Sequence, residues 1–157
     1  MLKTIQARFI SISGNTRSFM DSLVDYAKQQ NANDPNLPLF KPVEISDVTD
    51  LAEEPDPYFA FVPTYLNGGN GIDNGVKELM TNSLGEYIGY GDNHTKCLGI
   101  IGSGNKNFNE QYCLTAKRYA HDYGFPYLNN YELRGNSADV ERIYNSMVNR
   151  IKAVQDE

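Results

Sequence analysis

The 157-residue chain predicts an α/β fold: an open parallel sheet of about five strands with helices on both faces. Three observations carry that prediction. Apolar runs of strand length alternate with stretches whose apolar residues recur every three or four positions. One run, Tyr58-Phe59-Ala60-Phe61-Val62, is continuous and bounded by prolines, as in a central strand covered on both faces. The three stretches richest in glycine, serine and asparagine each follow a predicted strand, so in a parallel sheet they open on one edge.

The elements follow in order. Residues 3–11 carry Ile5, Ala7, Phe9 and Ile10 in a short run that suits a first strand. From 15 to 30, Phe19, Met20, Leu23, Val24, Tyr26 and Ala27 make one apolar stripe with Asp21, Asp25 and Lys28 outside it, a first helix. Asparagine, aspartate and proline in 31–38 end that helix in a loop. A second strand, 39–45, contains Pro42, whose missing N–H suits an edge position. The acidic stretch 46–57, with Pro55 and Pro57, allows only a short crossover helix.

After the central strand, a helical pattern starts at Ile72 or Asn74 and runs to about Met80, and 82–92 matches no element. A strand at 97–101, a helix at 108–123 and a strand at 127–133 come next. A final helix at 137–154 turns Val140, Ile143, Tyr144, Met147, Val148 and Ile151 inward, with Ser137 as a cap lacking the glutamate of a capping box.

Length predicts a single domain over 1–157. A net charge of −6 argues against nucleic-acid or anionic-membrane partners, which would repel the chain at long range. The absence of a long apolar segment predicts a soluble, cytoplasmic protein. Cys97 and Cys113 form neither a C-x-x-C dithiol nor a zinc pattern and read as small core residues. His94 and His121 read as solvated surface positions, so no metal site is expected.

Ser11-Ile12-Ser13-Gly14-Asn15-Thr16 joins the first strand to the first helix. It combines what a phosphate needs: hydroxyls from Ser11, Ser13 and Thr16, an amide from Asn15, close backbone approach at Gly14, and the free N–H groups of a helix start. It has neither the lysine of a nucleoside triphosphate loop nor the G-x-G-x-x-G of a dinucleotide fold, which points to a single terminal phosphate. Taken alone, the stretch is equally a capping motif in which Ser13 or Asn15 caps the helix.

The second loop, Pro63-Thr64-Tyr65-Leu66-Asn67-Gly68-Gly69-Asn70-Gly71, and the third, Gly102-Ser103-Gly104-Asn105-Lys106-Asn107-Phe108-Asn109, shift the balance. Glycines there expose backbone groups to a flat, polar-edged ring, Tyr65 and Phe108 offer packing, and Gly104 and Asn105 offer donors. A flavin with a phosphate on its tail has that shape. A one-electron carrier of the flavodoxin type and a phosphate- or nucleotide-binding module without flavin are the competing readings.

The first and second loops, the run Ser103-Gly104-Asn105-Lys106-Asn107-Phe108 continuing to Glu110-Gln111-Tyr112, then Gly124-Phe125-Pro126-Tyr127 and Tyr131-Glu132-Leu133-Arg134-Gly135, resemble the NrdI family. That family comprises flavodoxin-like activators of class Ib ribonucleotide reductase. The chain departs from ordinary flavodoxins in having Asn105-Lys106 where an acidic Gly-Asp pair is usual, and in having no tryptophan.

The resemblance implies a flavodoxin-like three-layer α/β/α sandwich with sheet order 2-1-3-4-5 and bound FMN. It implies that Ser11, Ser13, Gly14, Asn15 and Thr16 hold the phosphate and that Thr64, Tyr65, Leu66, Asn67, Gly68 and Gly69 contact the ring. Ser103, Gly104 and Asn105 would meet its pyrimidine side, with Phe108, Asn109 and Tyr112 shaping the site. It further implies that the reduced protein reacts with oxygen to supply superoxide or a related oxidant to the dimanganese small subunit of the reductase. A separate reductant would recharge the flavin, and no side chain need serve as acid, base or nucleophile.

Overall fold

The computed structural model describes residues 4–10, 14–46, 48–63, 66–67, 77–78, 83–104 and 113–155. A five-stranded parallel sheet is built from β1 (Thr4–Phe9), β2 (Leu39–Glu44), β3 (Tyr58–Pro63), β6 (Cys97–Gly104) and β7 (Tyr127–Glu132) in the order β2-β1-β3-β6-β7. Counting only these strands, that is the expected 2-1-3-4-5. Pro42 lies on the edge strand β2, where its missing donor costs no interior ladder bond.

The alternation of side chains along the central strand explains the two-sided core. Tyr58, Ala60 and Val62 enter one cluster with Leu84, Ile88, Ala116 and Phe125. Phe59 and Phe61 enter the other, with Phe19, Met20, Leu23, Ile143, Tyr144 and Met147. Helices α1 (Asn15–Asn33) and α5 (Ser137–Gln155) therefore cover one face, and α2 (Ser83–Gly89) and α4 (Leu114–Tyr123) the other.

A bulge at the start of β6 keeps this alternation in phase. Tyr58 pairs with Cys97 but Phe59 pairs with Gly99, so Leu98 is an extra residue. Leu98 joins the α1/α5 core, and its carbonyl accepts a hydrogen bond from Arg150 Nε at 2.7 Å.

Several boundaries differ from expectation for identifiable reasons. Helix α1 continues through Asn31, whose Nδ2 donates to Leu37 O at 2.9 Å and ties the following turn to the helix end. Segment 82–92, without an expected element, contains α2, where Leu84, Tyr87 and Ile88 are buried in only seven residues; α3 (Asn93–Lys96) follows. The helical pattern proposed up to Met80 fails at β5 (Lys77–Glu78), which pairs antiparallel with β4 (Leu66–Asn67). Pairing between segments overrides a weak local period there, and the rest of that pattern lies outside the described residues.

Of the helix expected over 108–123, the part from Leu114 to Tyr123 is α4, which starts after Cys113 with its left-handed φ of 57°, and 108–112 lie outside the described residues. Helix α5 is capped one residue before Ser137. Asn136 Oδ1 accepts from Asp139 N–H at 2.9 Å and Asp139 Oδ2 accepts from Asn136 N–H at 3.0 Å, a reciprocal box with aspartate in the glutamate's place. Cys97 and Cys113 are both buried and in no disulfide, and His121 is exposed.

Candidate functional site

Strand β1 lies between β2 and β3, so the chain leaves β1 in one direction along the sheet and later returns on its other side. That is the topological switch point at which ligands of open α/β sheets bind, outside the carboxyl ends of the strands. Phe9 is level with Phe61, and Pro63 with Ser103, so the ends of β1, β3 and β6 form one continuous edge. All three loops singled out above leave from it.

Gly14 caps α1 with φ 90° and no side-chain capping bond. Asn15 is already inside the helix and does not cap it. A Cβ on Gly14 would meet nothing within 4 Å, so its surroundings are open, and the positive φ is what calls for glycine. Thr16 is 1% exposed, and its Oγ1 is buried with no hydrogen-bond partner. A buried hydroxyl without a partner is costly and calls for a ligand or another explanation. No acidic residue stands in the first turn of α1 to compete for its N–H groups. Arg17 is turned away, forking onto Glu44 at the end of β2 with Nη2 2.8 Å from Oε2. Gly14, the helix start and the Thr16 hydroxyl thus fit a terminal phosphate.

On the strand that leads into the third loop, Ser103 is 3% exposed near the end of β6, and Gly104 ends the strand with its carbonyl accepting from Leu133 N–H at 2.9 Å. Leu66 and Asn67 form β4 beyond the end of β3. Ser11, Ser13, Thr64, Tyr65, Gly68, Gly69, Asn105, Phe108, Asn109 and Tyr112 lie outside the described residues.

Sequence reasoning missed what replaces a crossover helix between β2 and β3. Glu54, 5% exposed, lies 2.6 Å from Arg8 Nε through Oε1 and accepts from the Tyr87 hydroxyl at 2.9 Å. Its N–H donates to Asn93 Oδ1 at 2.7 Å, while Asn93 Nδ2 donates to Ala52 O and Tyr87 O. Burial and the hydrogen bond to Glu54 push the Tyr87 hydroxyl up to about 12. The signal was an arginine at an alternating position within an apolar strand, Arg8, and its partner is 46 residues away in sequence.

The same architecture recurs in solved structures. A short-chain flavodoxin associated with a non-canonical PDU bacterial microcompartment superposes with a TM-score of 0.66 over 98% of this chain and 99% of that one, at 21% identity. The chain therefore has a flavodoxin-like fold. The family model described as NrdI flavodoxin-like matches residues 7–145. An NrdI-like protein of Streptococcus pneumoniae is 45% identical over 151 residues, covering 90% of this chain and 91% of the relative. One from Streptococcus pyogenes is 48% identical, with 94% of each chain covered. The chain belongs to the NrdI flavodoxin-like family. Fold and family together imply a flavin as the class of ligand. Among the described residues no cluster of histidine, cysteine and carboxylates could hold a metal, and no helix is long and apolar enough to cross a membrane.

Proposed function

We propose that the chain binds FMN at the β1/β3/β6 edge and serves as the cytoplasmic activator of a class Ib ribonucleotide reductase. The observation that carries the phosphate half of this reading is the buried, partnerless Thr16 hydroxyl at the glycine-led start of α1, at the sheet's switch point.

When bound, reduced flavin would supply redox chemistry, one-electron reduction of oxygen to superoxide or a related oxidant for the dimanganese centre of the reductase small subunit. The protein's own residues bind and orient. Gly14 lets the backbone approach the phosphate, and Thr16 donates its hydroxyl, with Ser11, Ser13 and Asn15 completing the cradle. The second loop, Thr64 to Gly69, meets the reactive edge of the ring. Ser103, Gly104 and Asn105 meet the pyrimidine side, with Phe108, Asn109 and Tyr112 around it. The described ends of β1, β3 and β6, from which the three loops depart, lie side by side on one edge of the sheet.

The test is anaerobic reduction of the FMN-loaded protein, then oxygen exposure with the manganese-loaded small subunit, scoring tyrosyl radical. Radical that depends on the reduced protein supports the activator reading. Bound FMN without radical, despite a competent partner, favours a general electron carrier, and failure to bind FMN removes the reading altogether.

A further inference from the structure

We infer that the end of β7 and the turn that follows it, residues 131–135, form a positioning element that sets the spacing between the α1 end and the β6 end of the site, and so selects a flavin that carries a terminal phosphate. The inference rests on the site being an FMN site. No function so far described uses this turn.

Its two ends hold two different elements. Tyr131 stacks on Phe19 with ring centroids 3.9 Å apart and planes 10° from parallel. Phe19 is one helical turn beyond Thr16 on α1, and the two are 0% and 1% exposed. Two residues after Tyr131, the Leu133 N–H donates to the carbonyl of Gly104, the last residue of β6 and the point from which the third loop departs. The turn thus touches the phosphate helix on one side and the ring-side strand on the other.

The turn is also tied down at several points. Leu133 holds φ 56°, which is strained for leucine, yet its side chain is 50% exposed, so its own packing does not impose that conformation. Gly135 holds φ 73°, and a Cβ there would lie 2.8 Å from the Phe19 ring and 3.4 Å from the Tyr131 ring. Its N–H closes the turn onto Glu132 O at 3.0 Å, and the Asn136–Asp139 box anchors the next residues to α5. A ligand whose phosphate and ring are joined by a tail of fixed reach needs its two subsites held apart by a constant distance. Preorganisation of that kind is lost through small displacements far from the ligand.

The experiment compares FMN with riboflavin, which shares the ring and lacks the phosphate, by fluorescence quenching in the native protein and in Gly135→Ala. The expected result is a loss of about tenfold in FMN affinity with riboflavin affinity nearly unchanged, so the preference for FMN falls. Equal weakening of both flavins, or an unchanged preference, would overturn the positioning role.

If Gly135→Ala does not fold, Tyr131→Leu carries the same comparison, with Tyr131→Phe as the variant that keeps the stack and the preference. A native protein that binds neither flavin overturns the site reading itself. A native protein that prefers FMN, with variants that keep that preference, overturns only the role of the turn.

Discussion

Arg8 and Glu54 form an ion pair beneath the β2–β3 connection: Nε and Oε1 are 2.6 Å apart, and the side chains are 15% and 2% exposed. The Arg8 guanidinium also lies over the Tyr87 ring, 5.3 Å from its centroid. Burying two charges is costly, so the pair acts as a pin, joining β1, the helix-poor connection and α2 in one arrangement.

Glu54→Ala leaves the Arg8 charge shielded without its partner. Urea unfolding should report a loss of about 3–5 kcal/mol, and a double change to leucine at both positions should recover most of it. A single-variant loss below about 1 kcal/mol would place the pair among solvent-screened surface bridges.

Thr16→Val separates binding from folding by the sign of its two effects. Valine keeps the shape and removes a buried hydroxyl that has no partner in the protein, so unliganded stability should hold or rise. FMN affinity should fall by about tenfold or more, as expected for losing a hydrogen bond to a charged group, while riboflavin affinity stays constant. Combining it with Ser13→Ala should deepen the loss, and unchanged FMN affinity in the pair would remove the phosphate assignment.

Gly102→Ala tests the packing of α4 against β6. The new Cβ would lie 2.8 Å from the Ala116 Cβ and 2.9 Å from the Cys113 Cβ, neither of which can swing aside. Thermal unfolding should show a loss of about 1–3 kcal/mol. A neutral result would mean that the start of α4 shifts freely.

Alkaline pH should destabilise the fold. Burial pushes the Cys97 thiol from 9.0 up to about 12, and burial with the Glu54 hydrogen bond pushes Tyr87 from 10.0 up to about 12. Both groups bind their protons more tightly when folded, so their contribution is complete below about pH 9 and is lost as pH rises towards 12. Burial also raises Tyr58 and Tyr127. The urea midpoint should fall across that window, and Cys97→Ala should flatten part of the fall. Tyrosine absorbance should titrate in two stages, the second coinciding with unfolding; a single stage near pH 10 with the fold intact would contradict this.

Much of the fold was legible because the strands carry their own signals. The continuous run at 58–62 announced a doubly covered strand, and Pro42 announced an edge. What escaped was short or paired at a distance. Helix α2 buries its apolar side chains in seven residues, too few to establish a period, and β5 exists only through pairing with β4. The Asn136 cap was missed because Asp139 took the role expected of a glutamate.

Of the candidate site, the residue pattern alone showed the composition of three loops and, through the alternation of strands and helices, the sheet edge they share. Local chemistry suffices for that, because glycine, hydroxyl and helix-start signals lie within a few residues of one another. It took the folded chain to reveal that the Thr16 hydroxyl is buried without a partner, that Leu133 holds the end of β6, and that Arg8 finds Glu54. The last two are contacts between residues distant in sequence, and the first depends on what the assembled fold packs around Thr16. The free energy that selects them comes from desolvation and packing in the assembled fold, which no local pattern encodes.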